Sequence, residues 1–274
     1  MNKYAPIGIF DSGYGGLTVF QEVQQALPEY DYIYLGDNAR APYGNRSFDV
    51  VYEFTLEAVK FLFDQGCPLV ILACNTASAK ALRTIQQQDL PNIDPNKRVL
   101  GVIRPSTEEI GALSQTRHVG VLGTTGTIQS ESYLIELKKF APDVQVSQHA
   151  CPMWVPLIEN EKYDHSAGIQ FIEEDVRALL EKDALIDTII LACTHYPVIK
   201  DKIQEIAGKH IQVVSQGPIV ADKLGQYLVA HPEMEGKLTK NASQVFYSSE
   251  SEIVFNEKAA RFLGYPVAAK HHSF

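Results

Sequence analysis

No apolar run in this 274-residue chain reaches the ~18 residues that a membrane-spanning helix requires. The longest, from Leu69 to Cys74, is the length of a strand. Basic residues are outnumbered: 24 Lys and Arg against 33 Asp and Glu leave a formal net charge of −9. Such a surface repels polyphosphate, so nucleic acid is not an expected partner. Cysteine is scarce, with four in all. The opening MNKYAPIGIFDSGYGG brings Asp and Gly turn residues too early for a signal-peptide apolar segment. The expectation is a cytoplasmic protein in which Cys67, Cys74, Cys151 and Cys193 are free thiols, ligands or catalysts rather than disulfides. Apolar residues are not in short supply. At 45% hydrophobic and 21% charged, the composition excludes disorder, collagen and small disulfide scaffolds. The length suits one large domain or two modest ones.

What the chain has is alternation. Short β-branched runs at residues 6–10, 32–36, 69–73, 99–103, 119–122, 144–148, 188–192, 211–215 and 245–247 are separated by stretches of helical period. In residues 48–65, for instance, Val51, Phe54, Ala58, Phe61 and Leu62 fall on one helix face. Several runs are apolar throughout, as strands buried on both faces must be. This predicts an α/β fold with largely parallel sheets flanked by helices.

The chain also echoes itself. Val70-Ile71-Leu72-Ala73-Cys74-Asn75-Thr76 returns as Ile189-Ile190-Leu191-Ala192-Cys193-Thr194-His195, 119 residues on, from 74 to 193. A looser pair, Gly8-Ile9-Phe10-Asp11-Ser12-Gly13 and Gly120-Val121-Leu122-Gly123-Thr124-Thr125, is offset by 112 residues, from 8 to 120. Two echoes in the same order predict two pseudo-symmetric α/β units facing each other across a cleft. Ligands of such folds bind outside the carboxyl ends of strands, where both cysteines fall. A Pro/Asn-rich break at residues 92–97 and a second crossing near 207–210 predict a discontinuous first unit, residues 1–97 plus 209–274, and a second unit, residues 98–208.

Cys74 leads into Asn75-Thr76-Ala77-Ser78, residues with helix-capping chemistry. A thiol there feels the positive end of the helix dipole, which predicts a lowered pKa and a larger thiolate fraction. Cys193 repeats the setting, followed by Thr194-His195-Tyr196-Pro197. Two thiols at equivalent ends of duplicated units can converge on one small molecule from opposite faces. That suits inversion at a carbon acid, where one group removes a proton and the other delivers one. Cys67 and Cys151 lack this context and read as structural.

Other strand-end loops lie around the thiols. In Asp11-Ser12-Gly13-Tyr14-Gly15-Gly16 the glycines let backbone N–H groups approach a carboxylate or phosphate. The loop is neither a dinucleotide fingerprint nor a P-loop, because Thr18 stands where a third glycine belongs and no GK[ST] follows. Asp11 reads either as a helix cap or as a partner for a substrate ammonium or for Cys74. Tyr43 and Gly44 can offer a hydroxyl and an N–H to a carboxylate, while Arg40 is either a carboxylate clamp or the partner of Asp37. Thr124 and Thr127 supply hydroxyls at the mirror-related strand end. His195 reads as a proton partner for a thiol or as a capping residue. A zinc site on Cys74, Cys193, His195 and Asp11 lacks the paired C-x-x-C or H-x-x-x-H spacing. No lysine stands in a pyridoxal-phosphate context. Neither metal nor cofactor is expected.

Together these strings resemble the glutamate-racemising branch of the cofactor-independent aspartate/glutamate racemase family. The matching residues are Asp11 to Leu17, Gly36-Asp37, Arg40 to Gly44, Ala73 to Ala77, Gly123-Thr124 with Thr127 and Ser130, Cys151-Pro152 with Val155 to Leu157, and Cys193 to Pro197. The resemblance covers about the first 200 residues and weakens through Phe262-Leu263-Gly264. It implies that Cys74 acts on D-glutamate and Cys193 on L-glutamate, with Asp11 and His195 assisting. It implies substrate contacts from Asp11, Ser12, Tyr43, Gly44, Asn75, Thr76, Thr194 and His195, with Thr124 and Thr127 as further ones. It also implies a cofactor-free homodimer that supplies D-glutamate for peptidoglycan synthesis. Three positions depart from the family pattern: Ala192 replaces a glycine, Arg104-Pro105 an acidic residue, and Ser215-Gln216 an aspartate. The carboxylate that would assist Cys193 is thereby left open among Glu108, Glu109 and Glu159.

Two rival readings make other demands. A two-lobed binding module could hold a dicarboxylate without chemistry, leaving the paired thiols idle. A hydrolase built on Cys193 and His195 leaves Cys74 idle. It also needs side chains two residues apart at a helix start to converge, which they seldom do.

Overall fold

The computed structural model describes residues 4–274. Among them are β1 (Ile7–Asp11), β2 (Tyr32–Gly36), β3 (Leu69–Leu72), β4 (Arg98–Gly101), β5 (His118–Gly123), β6 (Gln145–Ala150), β7 (Thr188–Ala192), β8 (Gln212–Val214), β9 (Gln244–Ser248) and β10 (Ala269–His271). They form two sheets, ordered β10-β9-β2-β1-β3-β4 and β6-β5-β7-β8, and every pairing is parallel. The order β2-β1-β3-β4 in the first sheet is repeated by β6-β5-β7-β8 in the second. The sequence echo holds in register as well. Gly8 pairs with Val70 and Gly120 with Ile189, the positions that the echo makes equivalent.

Helices cover both faces of the larger sheet, so its central strands β1, β2 and β3 are buried throughout, as their apolar composition requires. One face packs Ile7, Ile9, Tyr32 and Tyr34 against Phe20 and Phe246. The other packs Phe10, Ile33, Leu35 and Leu72 against helix Phe48–Asp64. Each fully buried Ile, Leu or Phe contributes about 1.5–3 kcal/mol. The helix starts where the Ser47 hydroxyl accepts from Val50 N, and the chain turns away at Gly66, whose φ of 96° favours glycine. Its buried face runs through Val51, Thr55, Ala58, Val59 and Leu62 rather than through Phe54 and Phe61, which are half-buried.

The two expected unit boundaries need correction. Residues 98–101, expected in the second unit, form β4 and pair with β3 in the six-stranded sheet. Residues 212–214, expected in the first unit, form β8 and pair with β7 in the four-stranded sheet. The physical reason is burial. Val99 completes the core beside Val70 and Leu72, and Val213 completes the core beside Ile189 and Leu191. The break at 92–97 is therefore a turn within the first unit, and 207–210 a turn within the second. The chain crosses between the sheets one element later each time, near Val102 and Ser215, into helices Ile103–Leu113 and Gln216–Ala230. The three-residue edge strand β10 carries no sequence signal of its own. No helix among the described residues is long and apolar enough to cross a membrane.

Candidate active site

The two cysteine-bearing strands of the echo end beside each other. β3 leads through Cys74 into helix Asn75–Lys80, and β7 leads through Cys193 toward the 3₁₀ helix Tyr196–Ile199. Both thiols, 5% and 6% exposed, line one narrow cavity of about 50 Å³ at the carboxyl ends of the strands. Its wall also holds Ser12, Tyr43, Gly44, Asn75, Thr76, Thr124, Thr194, His195 and Glu159.

Cys74 stands at the helix start, as expected, but it is itself the N-cap in place of the Asn, Thr and Ser that follow: its Sγ accepts from Ala77 N at 3.4 Å. The expected lowering of its pKa does not follow. Burial pushes the thiol up to about 12, and the charge of Asp11 pushes the same way. The Ser12 hydroxyl, 3.3 Å from Sγ, and Ala77 N oppose the shift without reversing it. A helix of six residues offers too small a dipole to overcome desolvation.

Cys193 stands in the opposite electrostatic setting. Its Sγ lies 4.0 Å from His195 Nδ1, and His195 Nε2 meets Glu159 Oε1 at 3.0 Å. Burial alone lowers the pKa of an imidazole. Here the hydrogen bonds to Cys193 and Glu159 outweigh burial and raise His195 to about 10. The rise favours the protonated imidazole, as suits a proton partner for the neighbouring thiol. Its side chain and that of Cys193 do converge, two residues apart, because the chain turns tightly here: Tyr196 N donates to Cys193 O.

Asp11 is fully buried and stands behind the cavity wall. It caps no helix, and it lies near enough to Cys74 for its charge to act on that thiol. Its Oδ2 accepts from Gly13 N at 2.9 Å and its Oδ1 from the Thr194 hydroxyl at 3.2 Å. Burial raises its pKa, against the charge of His195 and the N–H groups of Gly13 and Gly16.

Threonine hydroxyls bridge the two sheets at the cavity. Thr76 Oγ1 is 2.9 Å from Thr124 Oγ1, which is 3.0 Å from Thr127 Oγ1. Beside them Gly126 N donates to Gly44 O at 2.8 Å, tying the loop after β2 to the helix after β5. One expectation changes, and one that stood open resolves to the pairing with Asp37. The Tyr43 ring lines the wall, but its hydroxyl donates to Asp37. Arg40 is no carboxylate clamp in this arrangement: its Nε donates to Asp37 and its Nη1 to Glu57. Among the described residues, no group of three or more His, Cys, Asp or Glu is placed to hold a metal.

The family model for Asp/Glu/hydantoin racemases matches residues 8–224. The chain belongs to that family. The glutamate racemase of Roseobacter denitrificans is 42% identical to this racemase-family chain over 267 residues, covering 94% of it and 96% of the relative. A crystal structure of a glutamate racemase isoform from Bacillus anthracis matches with a TM-score of 0.90 at 34% identity, covering 99% of this chain and 98% of that one. The glutamate racemase of Francisella tularensis subsp. tularensis, solved in complex with D-glutamate, matches with a TM-score of 0.86 at 31% identity, covering 98% and 97%.

In this racemase-family chain the structure ranks what the sequence left open. Of Glu108, Glu109 and Glu159, only Glu159 reaches the cavity; Glu108 and Glu109 pair with Lys223. Gly15 has a use that the glycine-rich pattern does not disclose. Its α-carbon packs against Thr194 and His195, where a side chain would collide. Cys151 also lines the cavity, 1% exposed, and burial holds its thiol well above the ordinary value.

Proposed function

We propose that this enzyme interconverts L- and D-glutamate without a cofactor, by proton transfer at the α-carbon between Cys74 and Cys193. The observation that carries the reading is the placement of two thiols, from equivalent strand ends, on one cavity. Cys74, pushed up to about 12, keeps its proton at neutral pH. Cys193 instead has the imidazole of His195 as its neighbour, with Nδ1 4.0 Å from Sγ, a proton partner that Cys74 lacks.

For L-glutamate, the Cys193 thiolate removes the α-proton and the Cys74 thiol delivers its own to the opposite face. The C–H bond broken on one side is replaced by one formed on the other, and the charge passes from Cys193 to Cys74. D-glutamate runs the same steps backward from the opposite protonation state. The hydroxyls of Thr76 and Thr124 receive the substrate carboxylates, while the Thr194 hydroxyl stays on Asp11, and exclusion of water strengthens the substrate contacts. Ser12 stands at Cys74, and Asp11 biases that thiol by its charge. Glu159 holds His195 in place and keeps it protonated. The family resemblance further supports a cytoplasmic homodimer whose D-glutamate enters peptidoglycan synthesis.

Proton NMR of the enzyme with L-glutamate in D₂O, followed by circular dichroism of the mixture, tests the reaction. Loss of the α-proton signal together with decay of the optical signal is the expected result. Exchange without decay would limit the chemistry to one thiol. If neither changes, the same measurement with aspartate follows. Silence there overturns the racemase reading in favour of a binding module.

A further inference from the structure

Asn75 follows Cys74 and lines the cavity, yet its side-chain amide is engaged elsewhere. Asn75 Nδ2 donates to Gln216 Oε1, Gln216 Nε2 donates to the Tyr133 hydroxyl, and that hydroxyl donates to Asn75 Oδ1, each at 2.6 Å. The three side chains form a closed ring, and none is more than 3% exposed. The ring has one direction. Ser106 donates its hydroxyl to Val102 O at 2.7 Å, so toward Gln216 Nε2, 2.8 Å away, its oxygen can only accept. Reversing the Gln216 amide would set two acceptors against each other at Ser106 and two donors against each other at Asn75. A buried amide without a partner costs about 1–3 kcal/mol, so the arrangement is strongly preferred.

The ring also joins separate parts of the fold. Asn75 begins the helix after β3, and Tyr133 lies on helix Ser132–Phe140, packed on the second sheet. Gln216 opens the helix at the second chain crossing, and Ser106 lies on the helix at the first. Gln216 belongs to one of the three places where this chain departs from the family pattern.

We propose that Gln216 is a positioning residue. Through the ring with Tyr133 it sets the orientation of Asn75 and holds Cys74 in register with the second sheet. This rests on the two-thiol reading above. Gln216 touches no reacting atom; it acts on the Cys74 side of the reaction only.

The test uses Gln216→Met, which keeps the volume but breaks the ring, Tyr133→Phe, which removes one oxygen, and the double variant. Each single variant lowers kcat/KM roughly 10–100-fold, the scale of a displaced reacting group. The double variant is no worse than the worse single one, because both break the same ring. The deciding readout is the α-deuterium isotope effect on kcat/KM, measured from each enantiomer. It rises with D-glutamate, whose proton Cys74 removes, and falls with L-glutamate. Wild-type turnover in Gln216→Met overturns the proposal, as do isotope effects that move together in both directions. If Gln216→Met fails to fold, Tyr133→Phe decides by the same criteria. If the unsubstituted enzyme itself shows no racemisation, the reading of the reaction fails instead. Calorimetric glutamate affinity then decides the role of Gln216: weaker binding in Gln216→Met supports it, and equal binding overturns it.

Discussion

Gly15 and His195 touch so closely that the loop after β1 leaves no room for a side chain. A methyl group on Gly15 would collide with His195 Nδ1 and lie 2.5 Å from Thr194 Oγ1. Gly15→Ala therefore displaces both residues from the cavity wall. A displacement of about 1 Å at a reacting group costs roughly 100-fold in rate. The overpacking itself costs about 1–3 kcal/mol, so the variant stays folded. Steady-state kinetics alongside a thermal melt checks this. Near-wild-type kcat would mean that His195 is not needed where it stands.

The His195–Glu159 pair predicts a pH dependence. His195 has its pKa raised to about 10, so the stabilisation it draws from Cys193 and Glu159 is complete below its ordinary value of about 6.5. That stabilisation is lost as pH rises through about 10. Racemisation of L-glutamate should fall along the same alkaline limb. Glu159→Gln removes the carboxylate and moves that limb down toward about 6.5. A pH–kcat/KM profile of the two proteins reads this directly. Superimposable limbs would detach Glu159 from the chemistry.

On the two-thiol proposal, Cys74→Ser and Cys193→Ser each abolish racemisation, because each removes a proposed proton carrier. Cys67→Ala and Cys151→Ala should retain turnover at a stability cost of about 1–3 kcal/mol, since both side chains are fully buried. Cys151 provides the sharper control because it lines the same cavity. Loss of activity in Cys151→Ala without loss of fold would give the cavity a third working thiol.

Arg40 lies with its guanidinium 4.0 Å from the ring centres of both Phe54 and Phe274, while it pairs with Asp37 and Glu57. Lysine cannot reproduce the stacking and the paired donors together. Arg40→Lys should cost about 1–2 kcal/mol, or about 2–4 °C in melting temperature. Asp37 also accepts from Tyr43 on the cavity wall. KM for glutamate should therefore rise several-fold while kcat changes less. An unchanged KM would confine Arg40 to stability.

The repeated strand and the positions of both cysteines were legible in the sequence, because a buried parallel strand is a continuous apolar string and its end is a natural site. Ser12, Thr76, Thr124 and Thr194 were legible for the same reason, each lying within a few residues of a strand end. Three kinds of information were not. The unit boundaries depend on which sheet accepts β4 and β8, and Val99 and Val213 look alike until their partners are known. The protonation of Cys74 depends on burial, which no local motif encodes. Glu159, Gln216 and Tyr133 are brought to the site by long-range packing, Glu159 lying 36 positions from His195 and Gln216 141 positions from Asn75.

The unlike settings of Cys74 and Cys193 meet a limit set outside the protein. Mirror-image substrates have equal free energies in water, so their equilibrium constant is unity whatever the catalyst. The ratio of kcat/KM for the two enantiomers must then equal one. An imbalance between the thiols can surface only in kcat and KM separately, rising or falling together. Each direction starts from the opposite placement of one proton on the two thiols, and in unlike settings those two forms of the free enzyme are unequally populated. At high substrate concentration the return from the product-side state to the substrate-side state becomes a step of its own. This chain's charge asymmetry would then be seen in progress curves that slow under saturation, with no preference for either hand at equilibrium.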